Sequence, residues 1–451
     1  MSLQFITGNS GNGKTKYLFN RIVKEAKANP RDNYLVIVPE QFTMQTQRQL
    51  VDLSENKAIM NIDVLSFKRL AYRVFDELGI TNLTVLEETG KNLVLRKLAA
   101  QEADKLGVIG RNLNRIGYIS EVKSLLSELV QYNISPEELG RYIASGRLSD
   151  TLSDKLKDVL VLYEAFEKFM QDKYITAEEI LNVLCNVAEE SAILRNSVIA
   201  FDEFTGFTPI QNQLIKKLFV ISKKIYVTLT IDCREDIFKS RGMQELFDMP
   251  KRTVKSLTEM AAFYGIEVEE PIILDKNYRL AENEELSFME QQLFRKRRCS
   301  FKKVPKHIHI DCLRDPKQEL TKIARRINEL VRNENLRYRD IAIVTGDVNI
   351  YAGYVREIFD KYNIPYFIDA TQEILFHPFI EFIRSIPDIA AQNFSADAVF
   401  RFLRCGFSEL LDSEIDVLEN YVLACGVRGK SAWDKSGSGC QSIRQAMTLS
   451  F

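Results

Sequence analysis

The sequence predicts an α/β fold: a doubly wound parallel sheet, interrupted by an all-helical insertion and followed by a second, incomplete α/β unit. Three observations carry this. Wholly apolar β-prone runs such as YLVIVP (34–39) alternate with amphipathic helical stretches, the pattern of strands buried on both faces. A Gly-rich turn, GNSGNGKT (8–15), separates the first such run from the first helical stretch. From about 87 to 194 the strand pattern stops and helical periodicity alone continues.

Taken in order, QFIT (4–7) is a strand, and the helix after the turn carries Leu18, Ile22, Val23 and Ala26 at helical spacing. YLVIVP is stopped by Pro39; helical QTQRQLVDL, strand NIDVLSF (61–67) and helix KRLAYRVFDELG follow. The stretch 87–194 reads as amphipathic helices, with Ser135 before Pro136 and Thr176 before Ala177 as helix caps. The α/β rhythm returns with NSVIAFDEF (196–204), a helix from Pro209 to Leu218, and KIYVTLTID (224–232). These assignments give a first domain at 1–86 and 195–294 around an insertion at 87–194. The basic run RKRRCSFKK (295–303) marks the next boundary, as a solvated linker or a phosphate-backbone contact. A second α/β unit spans 295–371, with HIHIDCL and DIAIVTG (340–346) as strands; 372–451 is mostly helical and ends in a Ser/Gly-rich tail that reads as truncated or frame-shifted.

Composition narrows the function classes. With 61 Lys plus Arg against 62 Asp plus Glu, net charge is −1, so a nucleic-acid role needs a local basic groove. No apolar run approaches the roughly 18 residues that span a bilayer, and the N-terminus enters a strand without a leader, which points to the cytoplasm and away from membranes. The seven cysteines (185, 233, 299, 312, 405, 425, 440) share no C-x-x-C spacing and read as reduced thiols. His307 and His309 alternate on one strand face and read as surface imidazoles rather than metal ligands.

GNSGNGKT fits the phosphate-loop pattern G-x-x-x-x-G-K-[ST] in its strand–loop–helix context. Backbone N–H groups across Gly8, Gly11, Asn12 and Gly13 would cradle phosphates at a helix N-terminus. Lys14 would reach the terminal phosphates, and the Thr15 hydroxyl would ligate Mg²⁺. The matching acid is Asp202, at the end of the apolar run Val198–Phe201, as the second Mg²⁺ residue. Glu203 stands where a general base would orient an attacking water. ATP with Mg²⁺ is the cofactor this pattern expects.

FDEFTGFTPIQ (201–211) resembles the D-E-x-Q-D-x-x-P-x-Q segment of UvrD-like superfamily 1 helicases, and LDKNYRL (274–280) resembles their N-Y-R motif, in which Arg279 would sense the terminal phosphate. VPEQFTMQTQRQL (38–50), VLSFKRLAYRVF (64–75) and IAFDEFTGFTPIQ (199–211) together resemble the AddB (RexB-like) family. The resemblance implies a P-loop NTPase of UvrD-like helicase fold with a second RecA-like domain. It also implies the AddAB helicase–nuclease, in which an AddA subunit is the motor and AddB scans single-stranded DNA for Chi during double-strand-break repair. By the same resemblance, a nuclease domain with an iron–sulfur cluster belongs to full-length members and not to this chain. In the helicase fold, loops beyond the strands line the DNA channel; here they carry Gln41, Thr43, Phe67, Arg69, Tyr72 and Phe207, of which Phe67, Arg69 and Phe207 are the leading stacking candidates.

Departures temper the motor reading. Only seven residues precede Gly8, too few for the adenine-reading glutamine motif; Thr205-Gly206 replace the Q-D pair; and G-D-x-x-Q is not recognisable in LTIDCREDIF. The expectation is a nucleotide-binding domain with weak ATPase activity or none. An autonomous helicase or a small-molecule kinase are the rivals.

Overall fold

Parallel strands dictate the architecture of the first part of the molecule. The computed structural model describes residues 1–80, 84–108, 117–145, 148–170, 174–176, 178–295, 299–369, 374 and 376–434, in two units, Met1–His309 and Ile310–Phe451. In the first unit the chain runs β1 (Ser2–Gly8), α1 (Lys14–Ala28), β2 (Tyr34–Ile37), α2 (Thr43–Leu53), β3 (Ile62–Leu65) and α3 (Phe67–Leu78). It continues through β4 (Val85–Leu86), α4 (Glu88–Gln101), α5 (Tyr118–Gln131), α6 (Pro136–Ala144), α7 (Asp150–Met170), β5 (Ile175–Thr176) and α8 (Ile180–Val187). It then returns to β6 (Val198–Phe201), α9 (Pro209–Ile221), β7 (Lys224–Thr230), α10 (Asp248–Phe263), β8 (Glu267–Val268), β9 (Ile272–Leu274) and α11 (Glu284–Gln292).

The main sheet has the order β3-β2-β6-β7-β1, with β8 and β9 both on the outer edge of β1, and every pairing is parallel. Alternation along each strand sends residues to two cores. Phe5, Ile199, Phe201, Val227 and Leu229 pack on the face covered by α3, α8, α9 and α10. Ile6, Val198, Ala200 and Tyr226 pack on the face covered by α1 and α2. Burial on both faces is why these runs are uniformly apolar. Because β1 and β2 are separated by β6 and β7, the carboxyl ends of β1, β6 and β7 adjoin, where open α/β sheets bind ligands.

The insertion departs from expectation in two ways. Its helices α4 to α7 bury a core of their own, from Leu95 to Met170. Ile175–Thr176, expected to be helical or capping, instead pairs in parallel with Val85–Leu86. Thr176 still caps locally: its Oγ1 accepts from Glu179 N (3.2 Å) and its N–H donates to Glu179 Oε2 (2.6 Å). Further on, Ile180, Leu184, Ala188 and Leu194 join the core of the first domain, so the insertion's own packing ends before 194.

The second unit contains α12 (Pro316–Asn333), α13 (Val348–Lys361), α14 (Pro378–Ala391), α15 (Ala396–Leu403), α16 (Asp412–Cys425) and α17 (Lys430–Trp433). Leu320, Ala324, Ile327, Ile358, Phe359 and Ile364 form one small core. The strands expected at HIHIDCL and DIAIVTG are not formed among the described residues, and Ile310 and Val344 are 94% and 93% exposed. A β-prone run becomes a strand only when a neighbour in register takes its N–H and C=O groups, and among the described residues these two runs have none. Of the basic run, residues 296–298 lie outside the described residues, as does the tail 435–451; Arg295 is held by Asp232 (2.9 Å) rather than free. Among the described residues no helix is long and apolar enough to cross a membrane, and no cluster of metal-ligating side chains occurs.

Candidate functional site

β1 delivers Gly8 to the carboxyl edge of the sheet, and α1 begins six residues later at Lys14. The residue before the helix, Gly13, has φ 77°, a left-handed conformation, and no side chain caps the helix. The first N–H groups of α1 therefore lack a side-chain acceptor, which leaves its positive dipole end open to an anion. Gly11 is required by space as well as conformation. At φ 90°, a Cβ there would stand 2.7 Å from Asn277 Oδ1 and 2.9 Å from Arg279 Cβ.

Three asparagines fasten this loop to distant segments. Asn9 Nδ2 donates to Glu290 Oε1 (2.8 Å) and its Oδ1 accepts from Cys233 N (2.9 Å). Asn12 Nδ2 donates to the Leu274 carbonyl (2.5 Å), so its buried side chain points away from the cradle and only its backbone is available there. Asn277 Nδ2 donates to Ser10 O (2.9 Å), while Tyr278 N and Arg279 N donate to Gly11 O (3.0 and 3.4 Å). This brings Arg279 beside the loop, where it borders the same cleft as Lys14.

That cleft, of about 730 Å³, is walled by Lys14, Thr15, Asp202, Glu203, Thr228 and Arg279 among others. Lys14 Nζ donates to the Gly8 and Asn9 carbonyls (3.0 Å each), and burial lowers its pKa against the pull of Glu203 and Asp202. Thr15 Oγ1 lies 3.3 Å from both Asp202 Oδ1 and Glu203 Oε1. Asp202 is 1% exposed; burial raises its pKa, while hydrogen bonds from Thr228 and Thr15 act in the opposite direction. Glu203 holds φ 65°, rare for a non-glycine residue and the kind of local strain found at functional sites. The arrangement fits a phosphate with a bound cation. Glycine is sterically required at the turn, the helix end is uncapped, a lysine and an arginine supply positive charge, and the buried Asp202 Oδ2 has no partner among the described residues.

The six single-strand candidates separate by exposure. Gln41, Arg69 and Tyr72 face solvent, and Arg69 Nε pairs with Glu40 Oε1 at 3.0 Å. Thr43 is buried and donates to the Glu40 carbonyl (3.0 Å). Phe67, expected to stack on a base, is only 7% exposed and packs among Phe201, Phe204 and Phe207, which removes it from any surface a base could reach. Phe207 is half-buried in the same cluster.

A protein-family model described as "ADDB, N-terminal" matches residues 5–290. The chain belongs to the AddB family. AddB relatives, each named as a subunit of an ATP-dependent helicase/deoxyribonuclease, include those of Lachnoclostridium phytofermentans, 39% identical over 96% of this chain, and Clostridium tetani, 34% identical over 95% of it. The corresponding protein of Clostridioides difficile is 33% identical over 96% of this chain. The chain spans 38% of the length of each of these AddB relatives.

Sequence reasoning missed Asn9, Asn277 and Thr228. Asn277 stands two residues before Arg279 within LDKNYRL, a signal that was available. Asn9 and Thr228 carry no local signal, because their partners lie 281 and 26 residues away.

Proposed function

We propose that this AddB chain is a P-loop, UvrD-like domain that binds ATP with Mg²⁺ and contacts single-stranded DNA. It would serve as the N-terminal part of the AddB component of a helicase–nuclease, with AddA as partner, that resects double-strand breaks and recognises Chi for recombination. The observation that carries this is the convergence of Lys14, Thr15, Asp202, Glu203 and Arg279 on one cleft at the uncapped start of α1. Gly8, Gly11, Asn12 and Gly13 would offer backbone N–H groups to the phosphates, Thr15 and Asp202 would hold the metal, and Glu203 would orient a water. Bound Mg²⁺ would neutralise phosphate charge there. Gln41, Arg69 and Tyr72 are the exposed side chains available to DNA. A non-translocating role is supported at Asp232, the first acid of LTIDCREDIF after β7. It is 1% exposed and locked by Arg234 (2.6 Å) and Arg295 (2.9 Å) rather than facing the cleft.

The test is nucleotide affinity of wild type and Lys14→Ala, read with a fluorescent ATP analogue in Mg²⁺. Loss of the ammonium should weaken binding by about tenfold or more, as expected for a charge-assisted contact. Equal affinity in the two proteins would overturn the site assignment. DNA-stimulated turnover of about ten per second, ordinary for an enzyme, would overturn the non-motor reading and favour an autonomous helicase.

A further inference from the structure

The sheet alternation that builds the core also builds a support for Asp202. Along β6, Val198 and Ala200 face α1, and Asp202 continues that face one step beyond the strand. Along β7, Tyr226 faces the same way and Thr228 follows it. Ala200 lies opposite Tyr226 and Phe201 opposite Val227, so the register brings Thr228 beside Asp202. Thr228 is 3% exposed, and its hydroxyl donates to Asp202 Oδ1.

The strand residues of this face that pack into the core beside Thr228, namely Ile6, Val198, Ala200 and Tyr226, are apolar or aromatic. A valine at 228 would match threonine in shape and strand propensity, so packing does not call for the hydroxyl. What the hydroxyl does is fix one carboxylate oxygen. Asp202 Oδ1 receives Thr228 and, at 3.3 Å, Thr15 Oγ1, whereas Oδ2 has no partner among the described residues. Both Asp202 and Thr228 line the cleft.

We propose that Thr228 is a positioning residue for the cation of the nucleotide site: its hydroxyl sets the rotation of the Asp202 carboxylate so that one oxygen is committed to the protein and the other is kept for Mg²⁺ or its water. This rests on the nucleotide reading of the same cleft. Outer-shell hydrogen bonds of this kind orient ligands that would otherwise rotate.

The experiment compares wild type, Thr228→Val and Thr228→Ser at one fixed pH, measuring fluorescent ATP-analogue affinity across a Mg²⁺ titration and again in EDTA. Thr228→Val should raise the half-saturating Mg²⁺ concentration about tenfold, the usual cost of losing an outer-shell partner, and leave the EDTA affinity unchanged. Thr228→Ser, which keeps the donor, should return the Mg²⁺ requirement to within about twofold of wild type. An unaltered Mg²⁺ titration in Thr228→Val overturns the proposal. So does a loss of affinity equal in EDTA and Mg²⁺, which marks a merely structural role. Should Thr228→Val not fold, Thr228→Ala and Thr228→Ser supply the same contrast. Failure of the nucleotide reading is distinguishable, because it shows as no binding by wild type or as no effect of Lys14→Ala.

Discussion

Replacing Phe67 by alanine tests whether the aromatic cluster under the acidic segment is core or contact surface. Phe67 is 7% exposed, with ring centroids 5.8 Å from Phe201, 5.5 Å from Phe204 and 6.3 Å from Phe207. Truncating such a ring removes its transfer free energy and leaves a cavity, which together cost about 3–5 kcal/mol. Arg69 is the contrast two residues away. Its ion pair with Glu40 joins side chains 57% and 56% exposed, so Arg69→Ala should cost about 0–1 kcal/mol. In urea, with a slope of about 1–3 kcal/mol per molar, Phe67→Ala should lower the midpoint by at least about 1 M, and Arg69→Ala by far less. Far-UV circular dichroism reads the transition; the fluorescence of the single tryptophan, Trp433 in the second unit, is a separate channel. Single-strand binding measured well below the midpoint should be weaker in Arg69→Ala and close to wild type in Phe67→Ala. If Phe67→Ala unfolded like wild type yet lost single-strand binding, the ring would be a contact residue and the core assignment would fall.

Two other outcomes follow from the charges and thiols. Burial works against an ionised Asp232, but the hydrogen bonds and charge of Arg234, with Arg295, outweigh it and bring the pKa to about 2. The folded value lies below the ordinary carboxylate value of about 3.9, so the stability it contributes is whole above that pH and is lost as pH falls toward about 2. The stability difference between wild type and Asp232→Asn, followed by urea melts from pH 5 to 2.5, should hold steady above about pH 4 and shrink below it; a difference independent of pH would refute the pairing. Burial pushes the Cys185 thiol up to about 11, whereas Cys299 and Cys312 are exposed. Iodoacetamide at pH 8 should therefore label Cys299 and Cys312 in the native protein and reach Cys185 only on unfolding; rapid native labelling of Cys185, read by peptide mass, would contradict its burial.

What could be read from the sequence was what depends on near neighbours. The turn from Gly8 to Thr15 sits between a β-prone run and a helix with apolar residues at helical spacing, and Asp202 follows a short apolar run that forms a central strand. Phe67 was legible too, although it was expected to contact DNA. With Leu70, Ala71 and Val74 it completes the i, i+3, i+4, i+7 stripe of α3, and those four residues are buried while Tyr72, off the stripe, is exposed. The side chains that reach across the chain were not legible. Asn9 meets Glu290 across 281 residues, and Thr228 meets Asp202 only because β6 and β7 pair in one particular register. The β-prone runs of the second unit misled for the same reason: a strand is a property of two segments, and periodicity describes one.

The three asparagines bear on the proposed nucleotide site through what they do to the loop. The side chains of Asn9 and Asn12 tie it to Glu290 and Leu274, Asn277 Nδ2 donates back to its Ser10 carbonyl, and Gly11 O holds the N–H groups of Tyr278 and Arg279. A loop fixed from so many directions has lost its conformational freedom on folding, so an arriving phosphate has little left to order. The groups free to respond are few. The Lys14 ammonium would leave the Gly8 and Asn9 carbonyls, and the Thr15 hydroxyl would turn from the two carboxylates. Releasing Asn9 O leaves that backbone anchored by its own side chain, which keeps its bonds to Glu290 and Cys233. A ligand shifts an equilibrium only by its differential affinity for two states, and a cradle restrained in one state offers a small differential. Within the first unit the local geometry thus accords better with the proposal of a nucleotide that would be held than with one that would drive large movement of its own loop.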